Sequence, residues 1–81
     1  VVDDVALGHM DVRLAERLLV IAGDRKEIAA THQHLASELG TAREVVSRVL
    51  SDFQKRQIVG QSRGRITLID KKALKELASK H

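Results

Sequence analysis

The 81-residue sequence contains no cysteine, no proline, no tryptophan and no tyrosine, and it has a single phenylalanine. Without cysteine there are no disulfides and no thiolate metal sites, which fits a reducing compartment. With so few aromatic residues the core has to be aliphatic, and the chain has no platforms on which single-stranded bases could stack. These absences exclude a disulfide-stapled domain and disfavour a binder of single-stranded nucleic acid.

Long apolar runs are also missing. No stretch approaches the roughly 20 residues needed to cross a bilayer, and no signal-like start is visible. We therefore expect a cytoplasmic protein without a membrane partner. The length predicts a single domain, residues 1–81, and a chain this short buries only about 60% of its unfolded surface, so a large substrate cavity is not expected.

The charge is unevenly distributed along the chain. The net charge is only +3, but residues 1–40 hold four Lys/Arg against seven Asp/Glu, whereas residues 41–65 hold six against two. A basic segment of this kind is the electrostatic footprint of a nucleic-acid contact, although a solvated helix face has the same composition.

The first two thirds of the chain contain three segments with helical periodicity. The first is an amphipathic helix that ends near Ala22, before the polar turn that Gly23 starts. Its repeating apolar residues are Met10, Leu14, Leu18 and Ile21. Residues 28–30 follow as a short β-prone stretch. Thr31 is a natural N-cap for a second helix through Leu39.

A glycine turn separates this second helix from a third. Gly40 supplies a backbone conformation that a side chain would penalise. Thr41 and Glu44 match the T-x-x-E capping box and predict the start of the third helix. One face of that helix is apolar and the other is polar. The apolar residues are Val45, Val46, Val49, Leu50 and Phe53, and the polar ones are Arg43, Glu44, Ser47, Arg48 and Ser51. Two short helices around a glycine turn, with arginines on the second, are typical of a DNA-reading helix-turn-helix.

The last third of the chain has the pattern of a hairpin and a helix. Two β-prone runs surround a polar tip at Gly64, and Asp70 caps a closing helix. This order predicts a mainly α (α+β) winged helix-turn-helix, with about four helices and a small antiparallel hairpin wing. We assign residues 1–22 to a leading helix and hinge remnant, 31–55 to the helix-turn-helix, 57–69 to the wing and 70–80 to the closing helix.

Several of these segments resemble the C-terminal DNA-binding domain of the Crp/Fnr transcription regulators. The similarity covers nearly the whole chain. It includes Arg13-Leu-Ala-x-x-Leu-Leu19, Leu35-Ala-x-x-Leu-Gly40, Arg43-Glu-x-Val-Ser-Arg48, Ile58-Val59 and Ile66-Thr-Leu-Ile-Asp70. The Leu-Gly-x-x-Arg-Glu-x-x-x-Arg stretch is its most specific part.

The resemblance implies a bacterial, homodimeric regulator that binds a two-fold symmetric double-stranded operator, with RNA polymerase as a further partner to consider. It places the effector, a cyclic nucleotide or another small molecule, on an N-terminal domain that these 81 residues do not include. No cofactor or metal is therefore expected in this domain.

The resemblance also assigns site residues. Residues 42–55 become the recognition helix in the major groove, with Arg43, Glu44, Ser47 and Arg48 reading bases. Arginine donates to guanine O6 and N7, and glutamate accepts from cytosine N4. Phosphate contacts are implied at the start of the preceding helix, in the turn and at the wing tip. These residues are Thr31, His32, Gln33, Thr41, Arg63 and Arg65.

Alternative interpretations exist for most of these signals. Arg48 has the spacing for an ion pair with Glu44, and the whole face would also suit a winged-helix protein-interaction module that does not bind DNA. Residues 60–64 match the G-x-S-x-G nucleophile elbow, but a strand rather than a helix follows, so we expect no enzyme. His32 and His34 form an H-x-H pair, yet side chains at this spacing point to nearly opposite sides of a helix.

Overall fold

The described part of the chain folds into four helices and a three-stranded antiparallel sheet, as expected for a winged helix-turn-helix. The structure is a computed structural model that describes residues 2–79, with side chains described for 10–79. The elements are α1 (Val2–Ala22), β1 (Glu27–Ile28), α2 (His32–Leu39), α3 (Arg43–Lys55), β2 (Val59–Ser62), β3 (Arg65–Leu68) and α4 (Lys71–Ala78). No helix in the described part is long and apolar enough to span a membrane.

Two helix starts carry the side-chain caps that the sequence predicts. The Thr31 hydroxyl accepts a hydrogen bond from the His34 backbone N–H at 3.0 Å. The Asp70 carboxylate accepts one from the Ala73 N–H, also at 3.0 Å. Each cap satisfies a backbone donor that has no partner within its helix. The starts of α2 and α4 are therefore determined by local chemistry.

The predicted capping box at the start of α3 is wrong. The N-cap is Ala42, which makes no side-chain cap hydrogen bond. Thr41 belongs instead to the end of α2, because its backbone N–H donates to Ala36 O at 2.9 Å while the Gly40 N–H donates to Ser37 O at 3.3 Å. This Schellman-type arrangement requires Gly40 to be left-handed, at φ 69°. Thr41 is therefore part of the turn, and α3 starts one residue later than the capping box predicts.

Two smaller expectations also need correction. The short strand covers Glu27–Ile28 rather than residues 28–30, because its bounds are set by pairing with β3 at Glu27↔Thr67 and Ile28↔Ile66. In α1, Ile21 is 37% exposed and Ala22 occupies the buried position.

The wing is the hairpin of β2 and β3. The two strands pair from Val59↔Leu68 to Ser62↔Arg65, which leaves Arg63 and Gly64 as a two-residue tip. Gly64 has φ 69°, a conformation that favours glycine. The pairing of β3 with β1 anchors this hairpin to the rest of the fold.

The core is aliphatic apart from Phe53, and it draws on every helix and strand. Its largest fully buried side chains are Phe53, Leu14, Leu18, Leu35, Leu50, Ile66, Leu68, Leu74, Val46 and Val59. Helix α4 packs on α1, and α2 packs on α3, which in turn contacts β2. The core therefore holds α2, α3 and the wing in one arrangement.

A carboxyl group at the contact of α1 with α3 is placed unfavourably. Burial, and secondarily the Asp52 carboxylate, raise the pKa of Asp11 above its ordinary value, while Arg56 acts in the opposite direction. The folded state therefore holds the Asp11 proton more tightly than the unfolded state, and stability falls as pH rises from the ordinary pKa through the raised one.

We expect Asp11→Asn to stabilise the domain at pH 7, because asparagine keeps the shape and cannot ionise. The gain should shrink at about pH 3, where carboxyl groups are largely protonated in both states. Thermal unfolding followed by circular dichroism at both pH values measures this, with Asp24→Asn in the exposed turn after α1 as the control. Equal melting shifts at the two pH values would contradict the electrostatic explanation.

Candidate nucleic-acid interface

Helix α3 has one buried face and one charged face. Val46, Val49, Leu50 and Phe53 recur at helical spacing and are buried against the core. Arg43, Glu44 and Arg48 are exposed, as the sequence predicts from the same periodicity. The core thus fixes α3 in an orientation that presents these three side chains to the outside.

The charges on this face are not used for ion pairs within the described part of the chain. The ion pairs there are Arg17–Glu38, His34–Glu38, Arg56–Asp52 and Arg65–Glu27. Glu44 and Arg48 do not pair with each other, although their spacing would allow it. Their hydrogen-bonding groups are accordingly available to a ligand.

The start of α2 lies beside the wing. A cleft of about 240 Å³ separates them. Its lining includes the N-cap Thr31 with His32 and Gln33 at the start of α2, Arg43 from α3, and Gln61 and Arg65 from the wing. The first backbone N–H groups of a helix have no intrahelical acceptor and favour anions. Several predicted phosphate-contact residues are thus collected on one side of α3.

The two wing arginines differ in their surroundings. Arg63 is exposed at the hairpin tip. Arg65 lies in β3, where its Nη1 donates to Glu27 Oε1 at 2.8 Å. Thr41 is half-buried in the turn between α2 and α3. Arg63 is therefore the wing residue whose charge is least compensated by a neighbour.

His32 is held by hydrogen bonds within the protein. Its Nδ1 lies 2.7 Å from Ser47 Oγ, and its Nε2 lies 2.6 Å from Gln61 Oε1. The Gln61 amide in turn donates to Gln54 Oε1 at 2.8 Å. A phosphate contact from this imidazole would have to replace one of these bonds, whereas its backbone N–H is not affected by them.

Gln61 and Gln54 are the site residues that the sequence interpretation missed. A usable signal exists for Gln61: on β2 it shares a face with the buried Val59, two residues earlier. A polar side chain on the inward side of a strand needs a partner. Nothing in the sequence indicates that this partner is His32, 29 positions away.

The two histidines of the H-x-H pair have separate partners. His34 Nε2 lies 3.2 Å from Glu38 Oε2 on α2 itself, whereas His32 turns towards α3 and the wing. Within residues 10–79, where side chains are described, no group of three or more His, Asp or Glu side chains is arranged to hold a metal ion. The Ser62 of the G-x-S-x-G match lies at the end of β2 and is followed by the wing tip and β3.

Comparisons with known proteins agree on the type of domain. A family model described as the Crp-like helix-turn-helix domain matches residues 12–77. The transcriptional regulator SdrP of Thermus thermophilus is 39% identical over 51 residues, which are 63% of this chain and 25% of that protein.

Solved structures give the same result. A Crp/Fnr family transcriptional regulator from Thermus thermophilus superposes with a TM-score of 0.84 at 29% identity, over 98% of this chain and 45% of that one. A regulator of the same family from Eubacterium rectale has a TM-score of 0.84 at 39% identity, over 86% and 33%. The chain spans less than half the length of each of these relatives.

The matched region includes α2, the glycine turn, α3 and the wing, which together carry the site described above. The fold, the family match and the related transcription regulators all indicate the same type of domain. The chain belongs to the family of Crp-like helix-turn-helix domains, the DNA-binding type found in Crp/Fnr transcription regulators.

Proposed function

We propose that the chain binds double-stranded DNA sequence-specifically, as the output domain of a bacterial regulator, with α3 in the major groove. One observation carries the proposal. Arg43, Glu44 and Arg48 stand exposed on the face of α3 opposite the core, and none of them has an ion-pair partner among the described side chains. The charges of these three residues are therefore not compensated by a described neighbour.

The chemistry of these residues suits base edges. In the major groove guanine offers O6 and N7 to an arginine fork, and cytosine offers its N4 amino group to a carboxylate. We assign Arg43 and Arg48 to guanine, Glu44 to cytosine, and a fourth base contact to Ser47. Each good bidentate contact discriminates by about 1 to 3 kcal/mol.

The neighbouring elements suit the phosphate backbone. The first-turn amides of α2 and the Thr31 and Gln33 side chains lie on one side of the cleft, and Arg65 lies on the other. His32 is assigned to a phosphate through its backbone N–H, because both nitrogens of its imidazole are already bound within the protein. We assign Thr41 and Arg63 to the same role. Such contacts set orientation and salt dependence and carry no sequence information.

The rest of the regulator is inferred from the Crp/Fnr relatives. We propose a homodimer that binds a two-fold related operator, an effector bound by a part of the protein outside these residues, and RNA polymerase as a second partner. A single domain makes only half of the contacts of such a dimer, so the isolated chain should bind weakly.

Arg63→Ala tests the phosphate role of the wing. Removing one phosphate contact should weaken binding to all duplexes about equally and reduce the slope of log affinity against log salt by roughly one. Fluorescence anisotropy from about 50 to 200 mM salt measures both. Lys72→Ala is the matched control, because Lys72 is an exposed cation on α4, which packs on α1.

Equal effects of the two substitutions would contradict a contact between the wing and a phosphate. Arg63 would then contribute only through the net charge of the protein. The competing protein-interaction module has its own signature. It predicts no DNA binding even at low salt, together with a protein partner whose binding through α3 is insensitive to salt.

A further inference from the structure

A continuous network of side-chain hydrogen bonds joins α2, α3 and the wing. It starts at Ser47 on α3, passes through both ring nitrogens of His32 on α2, reaches Gln61 on β2 and ends at Gln54 on the last turns of α3. Its three links measure 2.7, 2.6 and 2.8 Å. Ser47 is half-buried and stands between the buried Val46 and the exposed Arg48, and its hydroxyl contacts His32.

Each hydrogen bond of this network has a defined donor and acceptor. The Gln61 Nε2 group donates to Gln54 Oε1, so the Gln61 amide presents Oε1 to the histidine. An oxygen can only accept, and His32 Nε2 is therefore the ring nitrogen that carries the proton. A neutral imidazole has one N–H, which leaves Nδ1 as an acceptor for the Ser47 hydroxyl proton.

This direction determines what Ser47 offers to a ligand. A hydroxyl has one proton and two lone pairs. With its proton donated to His32, Ser47 turns only lone pairs outward and acts as an acceptor. In the major groove adenine and cytosine present amino donors, whereas guanine and thymine present only acceptors for hydrogen bonds.

We propose that His32 is a positioning residue for base selection, which fixes the Ser47 hydroxyl as an acceptor and makes it choose adenine or cytosine over guanine or thymine. The inference rests on the proposed function, because it requires α3 to lie in the major groove. It adds a specificity determinant that itself touches no base. Its signature is a change in base preference at one position of the site.

The experiment measures affinities of the 81-residue chain for duplexes carrying each base at each position of its preferred site, at pH 8 and low salt. The position read by Ser47 is the one at which Ser47→Ala loses its preference. There the unaltered chain should favour adenine or cytosine by about three- to tenfold, the effect of a single neutral hydrogen bond.

His32→Phe removes both hydrogen bonds and keeps a ring in the same place. The preference at the Ser47 position should fall below about twofold, while preferences elsewhere in the site remain. In a His32→Phe, Ser47→Ala double variant the preference there should equal that of Ser47→Ala alone, because His32 acts through Ser47.

Gln61→Lys tests whether Ser47 donates to His32, and it does so without removing the His32 side chain from its packing. A lysine ammonium can only donate, so Nε2 has to accept and Nδ1–H has to donate to Ser47. The Ser47 proton is then free to face the base, and the preference should invert towards guanine or thymine.

Several results would overturn the inference. These are a guanine or thymine preference in the unaltered chain, a preference that survives His32→Phe in a folded protein, or a Ser47→Ala variant that changes no position. Failure of the proposed function is a different result, since the unaltered chain would then show no base preference at any position.

Discussion

Phe53→Ala is expected to remove a large part of the stability of the domain. Phe53 is fully buried and is the largest side chain in the core. Truncating a buried phenylalanine typically costs about 3 to 5 kcal/mol, from lost burial and the cavity left behind. A domain of this length has roughly 4 to 12 kcal/mol in total at the usual 0.05 to 0.15 kcal/mol per residue. The substitution should therefore remove at least about a quarter of this total.

The position of Phe53 makes the effect relevant to function. Its backbone carbonyl accepts a hydrogen bond from Ile58 N–H at 2.9 Å, where the chain leaves α3 for the wing. Loss of packing here should loosen α3 and the wing together. Urea unfolding at several protein concentrations gives the change in the free energy of unfolding.

Val20→Ala serves as the control for Phe53→Ala. Val20 is 70% exposed on α1, so its truncation should change the free energy of unfolding by no more than about 0.5 kcal/mol. A cost below about 1 kcal/mol for Phe53→Ala would mean that the core is not organised around this side chain.

Arg48→Ala should abolish discrimination at one base pair. Arg48 is exposed one turn into α3, and loss of a bidentate contact to guanine should cost about 1 to 3 kcal/mol, or about 5- to 150-fold in preference for the correct base. The effect is measured as the affinities for the preferred duplex and for duplexes in which each position carries each of the other three bases in turn.

Arg48→Lys separates the shape of the side chain from its charge. Lysine keeps the positive charge but lacks the planar fork, so general affinity and salt dependence should persist while preference for guanine weakens. If Arg48→Ala and Arg48→Lys both kept full discrimination at every base pair, Arg48 would not read a base.

Local features of this fold were predictable from the sequence. The caps at Thr31 and Asp70 involve donors three residues away, and the charged face of α3 follows from the spacing of Val46, Val49 and Phe53. Both rest on helix geometry alone. For that reason the exposure of Arg43, Glu44 and Arg48 agreed with the sequence.

Features that depend on distant residues were not predictable. Thr41 looked like a cap for α3, but its backbone N–H is bound by the end of α2. Arg65 pairs with Glu27 38 positions away, and β1 extends only as far as β3 pairs with it. The hydrogen bonds of His32 depend likewise on how α2, α3 and the wing pack. Pattern and spacing describe single elements, and these contacts arise between elements.

The central claim, that α3 reads base edges, is tested most directly by selecting sequences from a random pool of DNA duplexes with the 81-residue chain at low salt. The unaltered chain and Lys72→Ala should enrich the same short site, containing guanine and cytosine positions, and Arg48→Ala should lose preference at one of them. A pool that remains random after repeated rounds, although the chain is folded, would contradict the claim.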